Sequence, residues 1–591
     1  MAKAGRAAKT GDPMDKARER LAREKGAVVK GHSGAISIAL AYPNSYEVGM
    51  SNLGFHKVYS MLNAMDGVVC ERVFLPDADD ERYFIKRKTP LFSLESQKPL
   101  NGFDAAAFSI TFEADYINVL KMLRLGKIPL KGRGPRDPLI LAGGICPTMN
   151  PEVLGPFFDI MVIGEGEDAL EPIIAAMRNG GKNDLAAFAR IPGVYVPSAY
   201  TPVYENSGAI ARFEVRPGFP EKVKRLWNHG FSASPNVSVI DTPDTVFGGM
   251  ALVEIGKGCG KHCRFCAAGY VYRPTRHADT SAILAAVDAG LSRIGRVGLV
   301  GSAVGDHPDI EKIFSHIVEK GGEFSVSSFR LDKLTPTMLE NLAKGGAHTI
   351  TVAPEAGSER LRKRINKDLG GETIIRAARM IAQTGPFNMK LYFLVGFPGE
   401  TVEDVAQIAS LAQAIRDEMI SASKTRGTMG HISVGVDVFV PKPFTPFARE
   451  PFIGIAEADR RLKLVKKMFR ALPGVSLQAG SARQSYVQAL LSVGDRRVAE
   501  VIEKALEMDG DWFGAMRESP VDADFFATRR KGPDEILPWD MIDSGLYEGY
   551  LEKEMERRLD EKLTPECPPP GSQCQRCGAF DGVCVIKGKT K

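Results

Sequence analysis

ALVEIGKGCGKHCRFCAAGYVYR, residues 251–273, is the stretch on which the reading of the whole chain turns. Its opening apolar run, bounded by glycines, has the length and composition of a buried strand. The run passes directly into a glycine-rich loop carrying Cys259, Cys263 and Cys266. Three thiolates spaced C-x-x-x-C-x-x-C can grip three irons of a cubane and leave the fourth iron open to a ligand that is not a side chain. The alternative is a zinc site in which His262 or His277 completes a tetrahedral set. His262 directly precedes Cys263 and is poorly placed to join the same set, and a zinc site predicts nothing about the sequence around it.

The sequence after the loop is highly regular. Apolar runs RVGLVG, FSVSSF, TITVAPEA, KLYFLVGF and ISVGVDVFVP alternate with helical patterns such as SAILAAVDAGLSRI, DIEKIFSHIVEK and VEDVAQIASLAQAIRDEM. With the strand before the loop this makes six strand–helix units. They predict a partial (β/α)6 parallel barrel over residues 247–450, with its chemistry at the carboxyl ends of the strands. After Pro451 the pattern becomes mainly helical, over 451–565, and a short tail, 566–591, carries a second cysteine group.

Before the barrel, residues 34–180 alternate ISIALAYP, VVCERVFLP, DAAAFSITF, LILAGG and DIMVIGEG with helical stretches. Apolar runs of five to eight bounded by Gly and Pro suit a parallel sheet buried on both faces, so this part is expected to be a doubly wound, flavodoxin- or Rossmann-like α/β domain. Residues 181–246, with several prolines and short β-like pieces, read as a connecting segment. Residues 1–33 read as a basic, solvated and partly helical tail.

At 591 residues the chain is long enough for three to four folding units, and 44% hydrophobic with 25% charged residues describes a globular protein. The 77 basic and 72 acidic residues are interspersed, so charge does not indicate nucleic-acid binding. No apolar run approaches the roughly 20 residues of a membrane span, and the first residues lack the apolar core of a secretory signal, from which a cytoplasmic location is expected. Seven of the nine cysteines fall in two tight groups, which points to metal rather than disulfides.

The loop of Cys259, Cys263 and Cys266, placed after the first strand of a six-unit barrel, resembles that of the radical SAM superfamily. The resemblance implies a [4Fe-4S] cluster on these cysteines whose open iron binds the amino and carboxylate groups of S-adenosylmethionine (SAM). One electron from the cluster then cleaves a sulfur–carbon bond to give a 5'-deoxyadenosyl radical, and an electron donor such as flavodoxin or ferredoxin is implied as partner. Phe265 matches the position of an aromatic residue near the adenine. GLVGSAVGD matches the Gly-rich methionine segment, although Gly301 and Ser302 stand where a Gly-Gly-Glu is usual. In TVAPEAGSERLRKRINK the resemblance assigns Glu355 and Ser358 as hydrogen-bond partners of SAM and Arg360 or Arg364 as its carboxylate clamp. Gly396 in LVGFPGET matches the adenine-contacting turn, and VFVPKPFTPF resembles a segment of cobalamin-linked members.

The N-terminal segments AYPNSYEVGMSNLGFHKVY and AGGICPTMNPEVLGPFFDIMVIGEGEDAL resemble the B12-binding domain that precedes the barrel in one large class of the superfamily. The match implies cobalamin contacts at Gly54, Thr111, Gly143, Gly144, Glu165 and Gly166. The D-x-H-x-x-G of a lower-ligand histidine is absent, and His56 reads as an ordinary first-helix residue rather than a cobalt ligand.

The terminal group CPPPGSQCQRCGAFDGVC offers Cys567, Cys574, Cys577 and Cys584, a closed set suited to a second iron–sulfur cluster or a zinc, between which spacing does not decide. The preceding LPWDMIDSGLYEGYLEKEMERRLDEKL resembles the C-terminal region of a B12-type radical SAM subfamily. The expectation is therefore a radical SAM enzyme, cobalamin-dependent and methylating an unactivated carbon of a substrate the sequence does not name. The alternatives are a sulfur-inserting, methylthiotransferase-like enzyme acting on RNA or protein, and a non-catalytic iron–sulfur scaffold or sensor.

Overall fold

A computed structural model describes residues 12–182, 184–567 and 577–578. The first sheet contains β1 (Ile36–Tyr42), β2 (Val68–Phe74), β3 (Ala105–Ser109), β4 (Leu139–Gly143), β5 (Ile160–Val162) and β6 (Val194–Tyr195) in the order β2-β1-β3-β4-β5-β6. β1 to β5 pair in parallel, and β6, from the connecting segment, adds antiparallel to β5. β1 and β2 are almost continuously buried, as the apolar runs predict for a sheet covered on both faces. The order reverses between β1 and β3, and a doubly wound sheet opens a crevice at such a reversal, at the carboxyl ends of its strands.

The basic tail departs from expectation. Residues 13–22 are helical as read, but the segment that follows is docked rather than solvated. Arg72 of β2 is fully buried and its guanidinium needs anionic partners. Glu95 binds its Nε at 2.6 Å and Glu24 its terminal nitrogens at 2.5 and 2.8 Å. A buried charge without a partner is strongly destabilising, so Glu24 draws the tail onto the domain.

The connecting segment forms a hairpin of β7 (Tyr200–Tyr204) and β8 (Ile210–Val215), followed by β9 (Val223–Lys224). The barrel then follows with β10 (Ala251–Lys257), flanked by a short antiparallel β11 (Arg276–His277), and β12 (Arg296–Gly301) and β13 (Glu323–Val326). A second run of β14 (Thr349–Glu355), β15 (Asn388–Val395) and β16 (Ile432–Val438) continues the arc, joined through a parallel bridge between Phe329 and Val352. These are the six strands read from the sequence. A seventh, β17 (Val475–Ala479), pairs in parallel with β16 inside the mainly helical C-terminal region. VSLQA is an edge strand without a fully buried residue, so it lacks the apolar run that marks its neighbours. Finally β18 (Ile542–Asp543) pairs with β9 and ties the C-terminal region to the connecting segment. Among the described residues no helix is long and apolar enough to cross a membrane.

Two buried ionic joints hold the first domain over the barrel. Glu165, just after β5, binds Arg276 of β11 through both carboxylate oxygens, Lys257 at the end of β10 at 3.3 Å, and the Asn228 backbone N–H at 2.8 Å. Burial opposes the charge on Glu165, but Arg276 and Lys257 prevail and hold its carboxyl down at about 2. The second joint pairs Glu113, after β3, with Lys442, after β16, and Gln488 adds a hydrogen bond at 3.0 Å.

Glu165→Ala leaves Arg276 and Lys257 without their main counter-ion and is expected to destabilise the protein by about 3–5 kcal/mol at neutral pH, measured by denaturant unfolding. The folded-state value is depressed, so this contribution is present above the ordinary 4.5 and is lost as pH falls towards 2. The gap between wild type and variant is therefore expected to close over that range.

Candidate active site

β10 ends at Lys257, and Gly258 makes the turn into the cysteine loop. Its φ is +73°, and a Cβ there would stand 2.3 Å from the Tyr272 carbonyl oxygen, so no other residue fits. The loop rests on the segment after β14. Asn366 donates from its side chain to the His262 carbonyl at 3.0 Å. Arg264, fully buried, donates to the Arg364 carbonyl at 2.9 Å and the Lys562 carbonyl at 2.7 Å.

Cys259, Cys263 and Cys266 are free thiols on this loop, partly or fully buried. Burial raises all three, and each of Cys259 and Cys266 is raised further by its neighbours, Cys266 to about 12. Three buried thiols that resist ionising together form thiolates readily only when a cation binds between them, so the donor set and its burial fit an iron cluster. The zinc alternative is not assembled. His262 directs its Nδ1 to Tyr550 Oη and Arg273, and His277 packs its ring against His307. Among the described residues no three His, Cys, Asp or Glu side chains gather tightly enough for a single metal ion.

Several predicted SAM contacts come together around the loop. Phe265 packs edge-to-face on Phe397, which follows Gly396, at 5.3 Å between ring centroids. Glu355, at the end of β14 with φ +69°, lies close enough to Cys263 and Cys266 to oppose their ionisation. Gly301 packs on the β10 backbone, where a Cβ would meet the Gly256 carbonyl oxygen at 3.1 Å, and Ser302 is exposed beside it.

Three predicted contacts are used elsewhere. Ser358 is buried, caps the helix Glu359–Arg364 and donates to Asp404 at 2.5 Å. Arg360 binds Asp404 and the Gly399 carbonyl, and Arg364 lies against Gly399 and 3.6 Å from Glu561. The charges that act on the cluster cysteines come instead from Lys367, Arg330, Lys261 and Asp306. Lys367 is 3.2 Å from Glu355; burial works against its charge, but Glu355 and Cys263 hold its ammonium above the usual range. Arg330 Nε and Asp306 Oδ1 are buried without a hydrogen-bond partner, one a donor and the other an acceptor. Lys367 and Asp306 lay within stretches matched to the family, and sequence position alone did not distinguish them from neighbours on a helix surface.

The second cysteine group meets the same loop. Cys567 N–H donates to the Gly260 carbonyl at 2.8 Å and its Sγ is 3.6 Å from His262 Nε2, while Cys577 is buried against Tyr270 and Tyr550. Cys574 and Cys584 lie outside the described residues.

Above β10 and β12 a cleft of about 440 Å³ reaches into the first domain. All six predicted cobalamin contacts, Gly54, Thr111, Gly143, Gly144, Glu165 and Gly166, line it, and Gly258, Tyr272, Val300 and Ser302 line its barrel side. Gly144 needs its φ of +104° because a Cβ would stand 2.5 Å from the Ile110 carbonyl oxygen, whereas Gly143 faces open space. Glu165 belongs to the wall but is engaged in the interdomain joint. His56 is buried, with Nε2 on the Met50 carbonyl at 2.9 Å and Nδ1 accepting from Val239 N–H at 3.3 Å, as a structural residue should be. A larger cleft of about 1300 Å³, lined by Phe444, Arg449, Trp539 and Tyr547, contains none of the three loop cysteines.

Residues 253–412 match the family described as the radical SAM superfamily, and residues 54–197 match radical SAM proteins, N-terminal. The chain belongs to the radical SAM superfamily. This radical SAM protein is 26% identical over 472 residues to Uncharacterized protein MJ0966 of Methanocaldococcus jannaschii, covering 79% of this chain and 90% of that one. It is 21% identical to the ribosomal protein uS12 methylthiotransferase RimO of Koribacter versatilis, covering 53% of this chain and 64% of RimO. Among solved structures it is similar to the radical SAM methyltransferase TsrM of Kitasatospora setae, with cobalamin and a [4Fe-4S] cluster bound, at 14% identity and a TM-score of 0.46, over 72% of this chain and 78% of that one.

Single Cys→Ser changes at 259, 263 or 266 are expected to abolish cluster iron and SAM cleavage. Lys367→Met and Asp306→Asn should each keep the iron but weaken SAM binding about 10- to 100-fold, read by equilibrium binding under anaerobic conditions.

Proposed function

We propose that this radical SAM enzyme works with cobalamin and transfers a methyl group to an unactivated carbon. One observation carries the reading: the cleft at the strand-order reversal is walled by glycine turns and opens onto the carboxyl ends of β10 and β12, beside the cysteine loop. Its volume lies in the range of small-molecule sites, and glycines at such turns let a large planar ligand, or its tail, approach the backbone closely. Leu40, Val58, Leu62, Leu141, Ile174 and Met177 make the deeper wall apolar.

When bound, a [4Fe-4S] cluster with SAM supplies hydrogen-abstracting radical chemistry and a corrinoid supplies a methyl donor. The chain's own part is positioning. Cys259, Cys263 and Cys266 would hold the cluster, Phe265 and the Gly396 turn would receive the adenine, and Glu355, Lys367, Arg330 and Asp306 would orient the charged end of SAM. The two ionic joints keep the cleft over the barrel.

Anaerobic preparation with added cobalamin is expected to yield about one corrinoid per chain. Gly143→Leu, whose new side chain points into the open cleft, should reduce corrinoid retention at least tenfold while leaving the cluster iron unchanged. Wild-type corrinoid content in that variant, or none in the wild type, would remove the cobalamin reading. SAM turnover that incorporates sulfur rather than a methyl group would favour the methylthiotransferase-like alternative.

A further inference from the structure

Arg273 lies just past the cysteine loop and is 1% exposed. Its Nε donates to the Gly269 carbonyl, one terminal nitrogen is 2.6 Å from His262 Nδ1, and the other terminal nitrogen is buried without a hydrogen-bond partner. The guanidinium carbon stands 5.3 Å from the Tyr270 ring centroid and 5.9 Å from that of Tyr550. No carboxylate among the described residues pairs with it; beside the two tyrosines, Cys577 and Cys567 lie close enough to favour its charge. Two aromatic faces are weak compensation for a permanent buried cation, which is strongly destabilising without an anion. Two neutral thiols would leave it so.

The hydrogen-bond chain specifies the chemistry further. A guanidinium can only donate, so His262 Nδ1 must accept from Arg273, and Tyr550 Oη, at 2.7 Å, can donate to the same nitrogen. A neutral imidazole that accepts at Nδ1 carries its proton on Nε2, and Nε2 is the atom 3.6 Å from Cys567 Sγ. The histidine therefore presents an N–H to that sulfur, the contact that stabilises a thiolate. Cys577, buried against Tyr270 and Tyr550, lies on the same wall.

We propose that Cys567 and Cys577 bind a metal centre as thiolates whose sulfurs face the buried Arg273 guanidinium. His262, which sits between Cys259 and Cys263, joins this centre to the SAM-cluster loop. Bound as thiolates, the two sulfurs bring to the Arg273 guanidinium a negative charge that neutral thiols do not. Iron–sulfur and zinc centres share this chemistry. An iron–sulfur centre here would be placed to pass electrons into the loop, and its hydrogen bonds and the nearby cation would set its potential. A zinc centre would clamp the C-terminal segment onto the loop.

The test uses the full chain with Cys259, Cys263 and Cys266 all changed to Ala, prepared anaerobically with iron, sulfide and zinc supplied. About four irons with sulfide, and a paramagnetic signal on reduction, support an iron–sulfur centre; about one zinc and no iron supports the zinc form. Neither metal in excess of a variant that also carries Cys567→Ala and Cys577→Ala overturns the proposal. In the otherwise native chain, Arg273→Gln is expected to speed metal loss from this site to a chelator at least tenfold, with Arg273→Lys close to wild type, while circular dichroism and the iron of the first cluster stay unchanged. Equal loss rates for Gln and wild type would overturn the charge-balancing role. None of these readouts depends on corrinoid, so their failure is separable from that of the cobalamin reading.

Discussion

The candidate active site depends on one buried ionic joint. Glu165 belongs to the first domain, and Arg276 and Lys257 belong to the barrel, so the carboxylate bonds that satisfy all three also set the carboxyl edge of one sheet over that of the other. None of the three could remain buried alone, because an unpaired charge out of water costs several kcal/mol. The cleft above the cysteine loop is a consequence of that pairing. Glu113 and Lys442 repeat the device from β3 to β16, so the two domains are pinned at separate points around the cleft.

The cysteine loop is held with the same economy of elements. Asn366 and Arg264 connect it to the end of the helix after β14 and to residues 562–564 of the C-terminal region. Lys261 pairs with Glu566, next to Cys567. A chain of bonds therefore runs from the fourth barrel strand, through the loop, to the terminal cysteine group. Several side chains on and around the loop are buried without every polar atom paired. Arg273, Arg330, Asp306 and Thr275 each keep a buried polar atom without a partner, which is uncommon in a folded chain.

Glycines and cysteines were the legible part of this site. All six residues matched to a cobalamin domain line one cleft, and at Gly144 a positive φ with no room for a Cβ makes glycine the residue that fits. Long charged side chains were less legible. Ser358, Arg360 and Arg364 sit on a short helix whose partners, Asp404, Gly399 and Glu561, come from distant segments. Lys367, a few residues on, reaches Glu355 instead. Helical spacing alone could not say which of these cations would find a carboxylate first. The docking of Glu24 on Arg72 was hidden for the same reason, since an ion pair across 48 residues leaves no local pattern.

By itself the sequence determined the two parallel-sheet units, the six main barrel strands, the cysteine loop and the glycine turns, since each follows from local periodicity, from spacing or from a backbone conformation that few residues can adopt. Only the tertiary structure decided which charges meet. It brought the glycine turns over the barrel, turned His262 from the cluster loop towards Cys567, and left the Arg273 guanidinium buried beside two cysteines. Those outcomes depend on partners far apart in the chain, and the energy of a buried charge is settled by its neighbours in space rather than by its neighbours in sequence.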